Sequence, residues 1–143
     1  MLEVGFGFWG SKVLLTALQM EVFTKLDDQS LTGEELGKAL NIHPRGIFDF
    51  FDALVALGFL YRDGDGSSGR YRNTEATAQY LNKHQPGYMG GFFEMCNDRL
   101  FKFWSDLGPA LKTGKPQNET KHNQKPMYAS LLSKTSKTLP CVP

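Results

Sequence analysis

An excess of one charge sign is missing from this sequence of 143 residues, in which 16 Lys and Arg stand against 15 Asp and Glu, for a net charge of +1. A broad basic surface for nucleic acid or for an anionic membrane is therefore not expected, although a local patch could survive the averaging. Cysteine is also scarce. Cys96 and Cys141 are the two in the chain, and they indicate neither a disulfide framework nor a metal site. We expect a reduced, cytoplasmic setting.

Long hydrophobic runs and catalytic motifs are missing as well. No apolar run is long enough to span a bilayer, and the N-terminus has no basic segment ahead of a cleavable apolar one, so we expect neither a membrane span nor a secretory signal. The histidines His43, His84 and His122 lie far apart, and none has a nucleophile or metal ligand at a recognisable spacing. We therefore predict no metal ion, no catalytic residue and no catalytic activity from this chain alone.

Residues 31–74 carry the strongest pattern in the sequence, and the first part of this stretch reads as two helices joined by a turn. Thr32 and Glu35 have the spacing of a capping box, in which each side chain bonds a free backbone N–H at the start of the helix. Pro44 suits the first position of the second helix because its missing N–H costs nothing there. Gly58 is placed to end that helix.

A small β-hairpin is predicted after the second helix. Residues 59–61 and 70–72 read as short strands, and residues 63–69 form the flexible tip between them. Thr74 then caps a short helix that runs through Leu81. This order of elements is that of a winged helix, which proteins use either to read DNA or to hold chains together. We therefore predict a mainly α fold, a winged helix-turn-helix with a small β-hairpin wing and flanking dimerisation helices.

Two long apolar helices are predicted on either side of the winged helix. Phe6 to Phe23 reads as the first, and its apolar residues cover most of the circumference, so burial on more than one side is expected. A central core helix in a monomer is one explanation, and we favour the other, a partner chain that completes the burial. Tyr88 to Lys112 reads as the second, with Gly90-Gly91 and Gly108-Pro109 as points of kinking or splitting.

The C-terminal part of the sequence is more polar. Residues 114–125 read as a loop, and Pro126 is placed to start a last helix through Leu132. Ser133 to Pro143 is rich in Ser, Thr and Lys, so we expect a disordered tail there. Residues 1–132 are predicted to form the winged-helix dimerisation domain.

Two glycine-rich motifs suggest ligand sites, and both have a simpler explanation. Gly5, Gly7 and Gly10 have the spacing of a dinucleotide-binding fingerprint, but the few residues before them cannot form the buried strand that this fingerprint requires. Helix packing or a flexible helix entry explains them better. The loop 63–69 has acidic residues at alternate positions, as a calcium loop does, but Thr74 stands where the closing glutamate would be. A hairpin tip explains this loop.

Charge on the second helix distinguishes DNA binding from protein binding. The helix Pro44–Leu57 carries Arg45 against Asp49 and Asp52, a net charge of −1, and much of its remaining surface is aromatic. Such a helix would repel phosphates and gain little from base edges. We therefore favour contact with protein and expect no nucleic-acid partner, and a DNA-binding winged-helix transcription regulator is the alternative.

Three ordered segments of the sequence carry a resemblance to one family. They are Gly5 to Lys12 leading to Glu21-Val22-Phe23, Pro44-Arg45-Gly46 with Asp52 to Leu60, and Tyr71 to Thr74. Together they resemble the N-terminal dimerisation region of S-adenosylmethionine-dependent O-methyltransferases of the acetylserotonin and caffeate type, which act on aromatic hydroxyls. The resemblance covers nearly the whole chain up to Leu132.

The resemblance implies an intertwined homodimer through the first helix, with these residues in the interface: Phe6, Phe8, Trp9, Leu14 and Leu18. It also implies that Met95, Asn97 and Trp104 line part of the acceptor-substrate pocket. Met and Trp would offer apolar surface to an aromatic ring there, and Asn would orient a polar group. The alternative is that these three residues fill the core or the dimer interface.

The second domain of such enzymes, which holds the methyl donor and a catalytic histidine, has no counterpart in this sequence. We therefore expect the chain to bind no cofactor, because S-adenosylmethionine is expected only for a full-length relative. The predicted function is a homodimerisation module that contributes part of the acceptor pocket. An intact enzyme, which would bind the methyl donor, is one alternative. A truncated interaction or regulatory protein that pairs with a full-length methyltransferase relative is another.

Overall fold

The computed structural model of the protein describes residues 1–118. The predicted fold class is confirmed, because these residues are mainly helical with one small sheet. The described residues divide into two units, Met1–Asp98 and a second one that begins at Arg99. The elements in chain order are α1 (Leu2–Gln19), α2 (Val22–Leu26), β1 (Leu31–Thr32), α3 (Gly33–Ala39), α4 (Ile47–Ala56), β2 (Leu60–Asp63), β3 (Arg70–Asn73), α5 (Glu75–Tyr80), α6 (Gly90–Met95), α7 (Phe101–Trp104) and α8 (Leu107–Thr113).

The predicted first helix, Phe6 to Phe23, is two helices in the structure. α1 ends at Gln19, and Glu21 has a left-handed backbone conformation with a φ of 59°, which a continuous α-helix does not permit. α2 then begins at Val22. The prediction of a single helix was wrong because the left-handed position is usually signalled by Gly or Asn, and a glutamate gives no such signal.

The two helices of the winged helix have the predicted caps. The Thr32 hydroxyl accepts a hydrogen bond from Glu35 N at 3.2 Å, and the Glu35 carboxylate accepts one from Thr32 N at 2.8 Å. Pro44 begins a 3₁₀ turn that leads into α4. Just past α4, Gly58 has a φ of 77°, a conformation that glycine adopts without a steric penalty. The capping box read from the sequence is therefore a real pair of hydrogen bonds, and Pro44 and Gly58 lie at the start of the 3₁₀ turn before α4 and just past the end of α4.

Three antiparallel strands form the sheet, in the order β1-β3-β2. The predicted hairpin is confirmed, with strands that extend to Asp63 and Asn73. β1 was not predicted, because Leu31 and Thr32 are too few residues to show strand alternation. Leu31 pairs with Tyr71, so β1 brings the start of α3 beside the wing.

The core of the first unit lies between α1, α2, α3, α4 and the sheet. Phe51 and Tyr71 are fully buried, with ring centroids 5.3 Å apart. Asn73 Nδ2 donates hydrogen bonds to the carbonyl oxygens of Phe23 at 2.8 Å and Asp27 at 3.0 Å, which satisfies acceptors at the C-terminal end of α2. Other large residues of this core include Phe23, Leu18, Leu26, Leu36, Ile47, Leu54, Leu60 and Leu81.

The predicted long helix from Tyr88 to Lys112 is several shorter elements. Helical structure begins at Gly90, passes through a π-helical turn at Cys96–Leu100, and breaks between α7 and α8. The break lies ahead of Pro109, whose ring would clash with the carbonyl four residues earlier in a continuous helix. Pro109 instead lies in the first turn of α8, where no N–H is needed. The predicted helix at 126–132 and the predicted tail at 133–143 lie outside the described residues.

Candidate interface and pocket-lining residues

The three aromatic side chains in the first half of α1 are all exposed to solvent. Phe6, Phe8 and Trp9 are 47%, 51% and 59% exposed, and we call these three residues the aromatic patch. Phe6 stacks on Trp9 at 4.7 Å between ring centroids, and Phe8 meets Trp9 edge to face at 5.6 Å. The apolar residues before the patch are also exposed: Met1, Leu2 and Val4. A contiguous exposed apolar surface of this kind is typical of a protein-binding site.

The second half of α1 belongs to the chain's own core. Leu18 is 2% exposed, and Leu14 is partly buried against the same core. The transition from the exposed half of α1 to the buried half occurs near Gly10, where an added Cβ would lie 3.5 Å from Leu57 Cδ2. Of the residues predicted for the interface, those of the aromatic patch are accessible to a partner and Leu14 is partly accessible, whereas Leu18 is already covered by its own chain.

Asn97, predicted to line the acceptor pocket, is 6% exposed and hydrogen-bonded to α1. Lys12 Nζ donates to Asn97 Oδ1 at 2.6 Å, and Asn97 Nδ2 donates to Gln19 Oε1 at 3.3 Å. Asn97 lies in the π-helical turn, a feature that is often found at functional sites. A cavity of about 210 Å³ beside it is lined by Gln19, Glu94, Asn97 and Asp98. The amide therefore joins two helices and also borders a small polar cavity.

Met95 and Trp104, the other two predicted pocket residues, differ in exposure. Met95 ends α6 in the first unit and is partly buried. Trp104 ends α7 in the second unit and is 67% exposed. Within that second unit, a largely apolar pocket of about 230 Å³ is lined by Phe103, Trp104, Leu107, Ala110, Gln117 and Asn118. This pocket has the apolar lining and the few amide groups that suit a flat aromatic ligand.

A three-residue charge cluster, which the sequence did not indicate, connects α2 to α6. Lys83 Nζ lies 2.7 Å from Glu21 Oε1 and 3.0 Å from Glu94 Oε1, and the Tyr88 hydroxyl donates to Glu94 Oε1 at 3.0 Å. The hydrogen bond to Glu21, and then the one to Glu94, raise the pKa of Lys83 above its ordinary range. The hydrogen bond from Lys83 lowers the pKa of Glu94. The cluster therefore favours the charged form of both groups.

Asp52, on the helix that would enter a DNA groove, faces inward to the wing. Arg62 Nη1 donates to both Asp52 carboxylate oxygens at 3.0 Å, and the Tyr71 hydroxyl donates to Asp52 Oδ1 at 2.7 Å. Burial of Tyr71, together with its hydrogen bond to Asp52, raises the pKa of the phenol. These contacts tie α4 to both strands of the hairpin.

The other two arginines of the wing are also paired with carboxylates. Arg70 Nη2 lies 3.6 Å from Glu35 Oε2, and Arg72 Nε donates to Asp63 Oδ2 at 2.9 Å. Any phosphate that approached the wing would have to compete with these carboxylates and with the one that holds Arg62. The charge distribution therefore gives no support to the DNA-binding alternative.

The two glycine-rich motifs have the simpler structures that their sequences favoured. Gly5, Gly7 and Gly10 lie inside α1, with no strand before them that could aim a loop at a pyrophosphate. Residues 64–69 connect β2 to β3 and include a 3₁₀ turn at Gly66–Ser68. Among residues 1–118, no three or more His, Cys, Asp and Glu side chains are grouped as metal ligands would be.

A family model for the O-methyltransferase dimerisation domain matches residues 2–83. The chain belongs to this family. It is 41% identical over 117 residues to the tetracenomycin polyketide synthesis 8-O-methyl transferase TcmO of Streptomyces glaucescens, a match that covers 82% of this chain and 34% of the relative. It is 32% identical over 139 residues to the N,N-dimethyltransferase OxyT of Streptomyces rimosus, covering 90% of this chain and 39% of the relative. The chain thus spans little more than a third of the length of these curated relatives.

Solved structures of methyltransferases share the fold. Human N-acetylserotonin methyltransferase in complex with SAM matches 79% of this chain and 33% of its own, with a TM-score of 0.74 at 24% identity. The pyocyanin biosynthetic protein PhzM matches 91% of this chain and 38% of its own, with a TM-score of 0.75 at 22% identity. At these identities the likeness shows the fold alone. The resemblance read from the sequence is confirmed by the family match.

Proposed function

We propose that this chain is the homodimerisation module of a small-molecule methyltransferase and that two copies associate through the first half of α1. The observation that carries the proposal is the exposed aromatic patch, in a chain that belongs to the O-methyltransferase dimerisation-domain family. The patch lies near the start of the segment that the family model matches, residues 2–83. The exposed apolar residues around the patch extend the surface that a second chain would cover. Full burial of a Phe side chain contributes about 1.5–3 kcal/mol, so covering the patch is a strong drive to associate.

The interface extends along α1 as far as Leu14 in this proposal. Leu18 takes no part in it, because it is already buried in its own chain. The exposed part of α1 is an N-terminal helical segment that can reach across to a partner, which supports the intertwined arrangement predicted from the resemblance. A stable interface buries about 1,200–2,000 Å² in total, so residues on both chains beyond the patch must also contribute.

The module also contributes to an acceptor pocket for an aromatic compound. The relative that is 41% identical is named for a methyl transfer to oxygen in polyketide synthesis, which supports an aromatic polyketide hydroxyl as the acceptor. Within the second unit, the apolar pocket beside Trp104 is a surface that suits such a ring. Within the first unit, the partly buried Met95 is the other apolar residue that we assign to this role. S-adenosylmethionine would be held by the remainder of a full-length protein. The scarcity of cysteine supports a cytoplasmic setting.

Measurement of mass in solution tests the homodimer. Light scattering across a range of concentrations should give twice the mass of the chain, and the double variant Phe8→Ser/Trp9→Ser should give the mass of a monomer. Tyr80→Ser is the matched control, because Tyr80 is an exposed aromatic residue on α5 and not on α1, and this variant should remain dimeric. A monomeric parent chain at all concentrations would contradict the proposal, as would a dimeric double variant.

A further inference from the structure

The wing loop contains two Asp-Gly pairs in succession, Asp63-Gly64 and Asp65-Gly66. A glycine after an aspartate leaves the following backbone nitrogen without a side chain beside it. That nitrogen can then attack the aspartate carboxyl carbon if the backbone between them is free to rotate. The two pairs therefore have the same local chemistry, and their surroundings decide whether either one reacts.

Asp63 is held in place by its surroundings. It is the last residue of β2 and is paired with Arg70 across the hairpin. Its carboxylate accepts a hydrogen bond from Arg72 Nε at 2.9 Å. Both the backbone and the side chain of Asp63 would have to leave these partners before its carboxyl carbon could approach Gly64 N.

Among the described residues, Asp65 has neither a ladder partner nor an ion pair, and its backbone carbonyl accepts one hydrogen bond, from the Ser68 hydroxyl. It lies outside the ladder and is exposed, and its side chain makes no capping hydrogen bond to the 3₁₀ turn that follows it. Within residues 1–118 the Asp65 carboxylate has no ion pair like that of Asp63. Gly64 and Gly66, on either side, have φ values of 89° and 60°, so the chain turns at both neighbours in conformations that only glycine tolerates well.

We propose that Asp65 is a site of spontaneous isomerisation to isoaspartate, while Asp63 in the same loop is protected. In the first step Gly66 N forms a bond to Asp65 Cγ, a carboxyl oxygen leaves as water, and the nitrogen loses its proton to solvent. The product is a cyclic imide. Water then adds to the former Asp65 backbone carbonyl, and the bond from that carbon to Gly66 N breaks. The chain is left connected through Cγ, with no net change in mass.

Isomerisation would act on the contacts that hold the wing. Arg62 Nη2 donates to Gly66 O at 2.7 Å, and the Ser68 hydroxyl donates to Asp65 O at 3.0 Å. Connection through Cγ inserts one more carbon into the backbone before Gly66 and turns the old Asp65 carbonyl into a free carboxylate. Both contacts are then displaced. Because Arg62 also binds Asp52, isomerisation at Asp65 would also disturb the contact between the wing and α4.

Incubation of the native full chain in water enriched in heavy oxygen tests the proposal. Each passage through the imide leaves one heavy oxygen in the aspartate or isoaspartate formed. Trypsin cleaves after Arg62 and Arg70, so one peptide contains both Asp-Gly pairs. Electron-transfer fragmentation assigns the label and the isoaspartate to residue 63 or 65. Two controls are run in parallel, the same chain in concentrated urea and Asp65→Glu, whose side chain closes the equivalent ring far more slowly.

We expect labelling at Asp65 about tenfold faster than at Asp63 in the native chain, a ratio that corresponds to about 1.4 kcal/mol. In urea the two sites should react at similar rates, because the ladder and the ion pair are gone. Asp65→Glu should leave the native peptide almost unlabelled. Equal labelling of the two sites in the native chain would overturn the proposal. Labelling of both sites in urea and of neither in the native chain would also overturn it, since Asp65 would then be as restrained as Asp63.

Discussion

Lys12 Nζ and Asn97 Oδ1 form a hydrogen bond of 2.6 Å between residues that are 85 positions apart in the sequence. The bond joins α1, which carries the aromatic patch, to the π-helical turn that follows α6. Gln19 accepts from the other side of the same amide. Asn97, which the resemblance assigned to the substrate pocket, therefore also links the π-helical turn to α1 through its hydrogen bonds.

Asn97→Ala should lower the free energy of unfolding by about 1–3 kcal/mol, because it removes the two hydrogen bonds that the buried amide makes with Lys12 and Gln19. Urea unfolding followed by circular dichroism measures the change. Asn97→Asp is the informative control, since it keeps an acceptor for Lys12 and loses the donor to Gln19, and it should cost less than Asn97→Ala. A change within about 0.5 kcal/mol for Asn97→Ala would show that the amide is not a structural link.

Tyr71→Phe should destabilise the fold by about 1 kcal/mol, since it removes one hydrogen bond to Asp52 and keeps the buried ring. Asp52→Ala should cost more, because Arg62 and Tyr71 both lose their acceptor at once. The comparison is made by urea unfolding. Asp49→Ala on the same helix is the control, and it should change stability by no more than about 0.5 kcal/mol. Equal effects of the two aspartate variants would contradict the assigned role of Asp52.

Glu94→Gln should remove a contribution to stability that depends on pH. The pKa of Glu94 is lowered in the folded chain, mainly by Lys83, so the folded state favours the carboxylate. This contribution is fully present above the ordinary carboxyl pKa of 4.5 and is lost as the pH falls through the lower folded value. The pKa of Lys83 is raised, so its contribution is present below 10.5 and is lost as the pH rises through the higher folded value.

The difference in unfolding free energy between the parent chain and Glu94→Gln should therefore be constant near neutral pH and shrink below the ordinary carboxyl range. We expect a plateau of about 1 kcal/mol or less, because partly exposed ion pairs are screened by solvent. Glu34→Gln, which lies outside the cluster, should show no such plateau. A Glu94→Gln difference that does not vary from neutral pH to acid would show that the ion pair contributes nothing.

Signals that act over a few residues made much of the fold predictable from the sequence. The Thr32–Glu35 capping box and Gly58 specify their own backbone geometry, and both are present as predicted. The left-handed Glu21 was not predictable, because its conformation is imposed by the packing of α1 and α2 against the core and not by its own preference. The Lys12–Asn97 hydrogen bond likewise depends on the tertiary fold, and no spacing of residues in the sequence predicts it.

The predicted interface likewise combines a feature that the sequence indicates with one that only the tertiary fold determines. Periodicity indicated that α1 is apolar all round, which is correct, but it could not say which end is covered by the chain itself. Leu18 and Trp9 lie on the same helix, and the structure buries the first and exposes the second. That difference follows from where α4 ends against α1, near Gly10 and Leu57.

Fluorescence of Trp9 tests the account most directly. The sequence contains two tryptophans, so Trp104→Phe leaves Trp9 as the single indole reporter on the aromatic patch. If two copies cover the patch, the emission of this variant should shift to shorter wavelength as concentration rises, in step with a doubling of mass. Emission typical of a water-exposed indole in a sample whose mass is that of a dimer would contradict the account, because the chains would then associate through another surface.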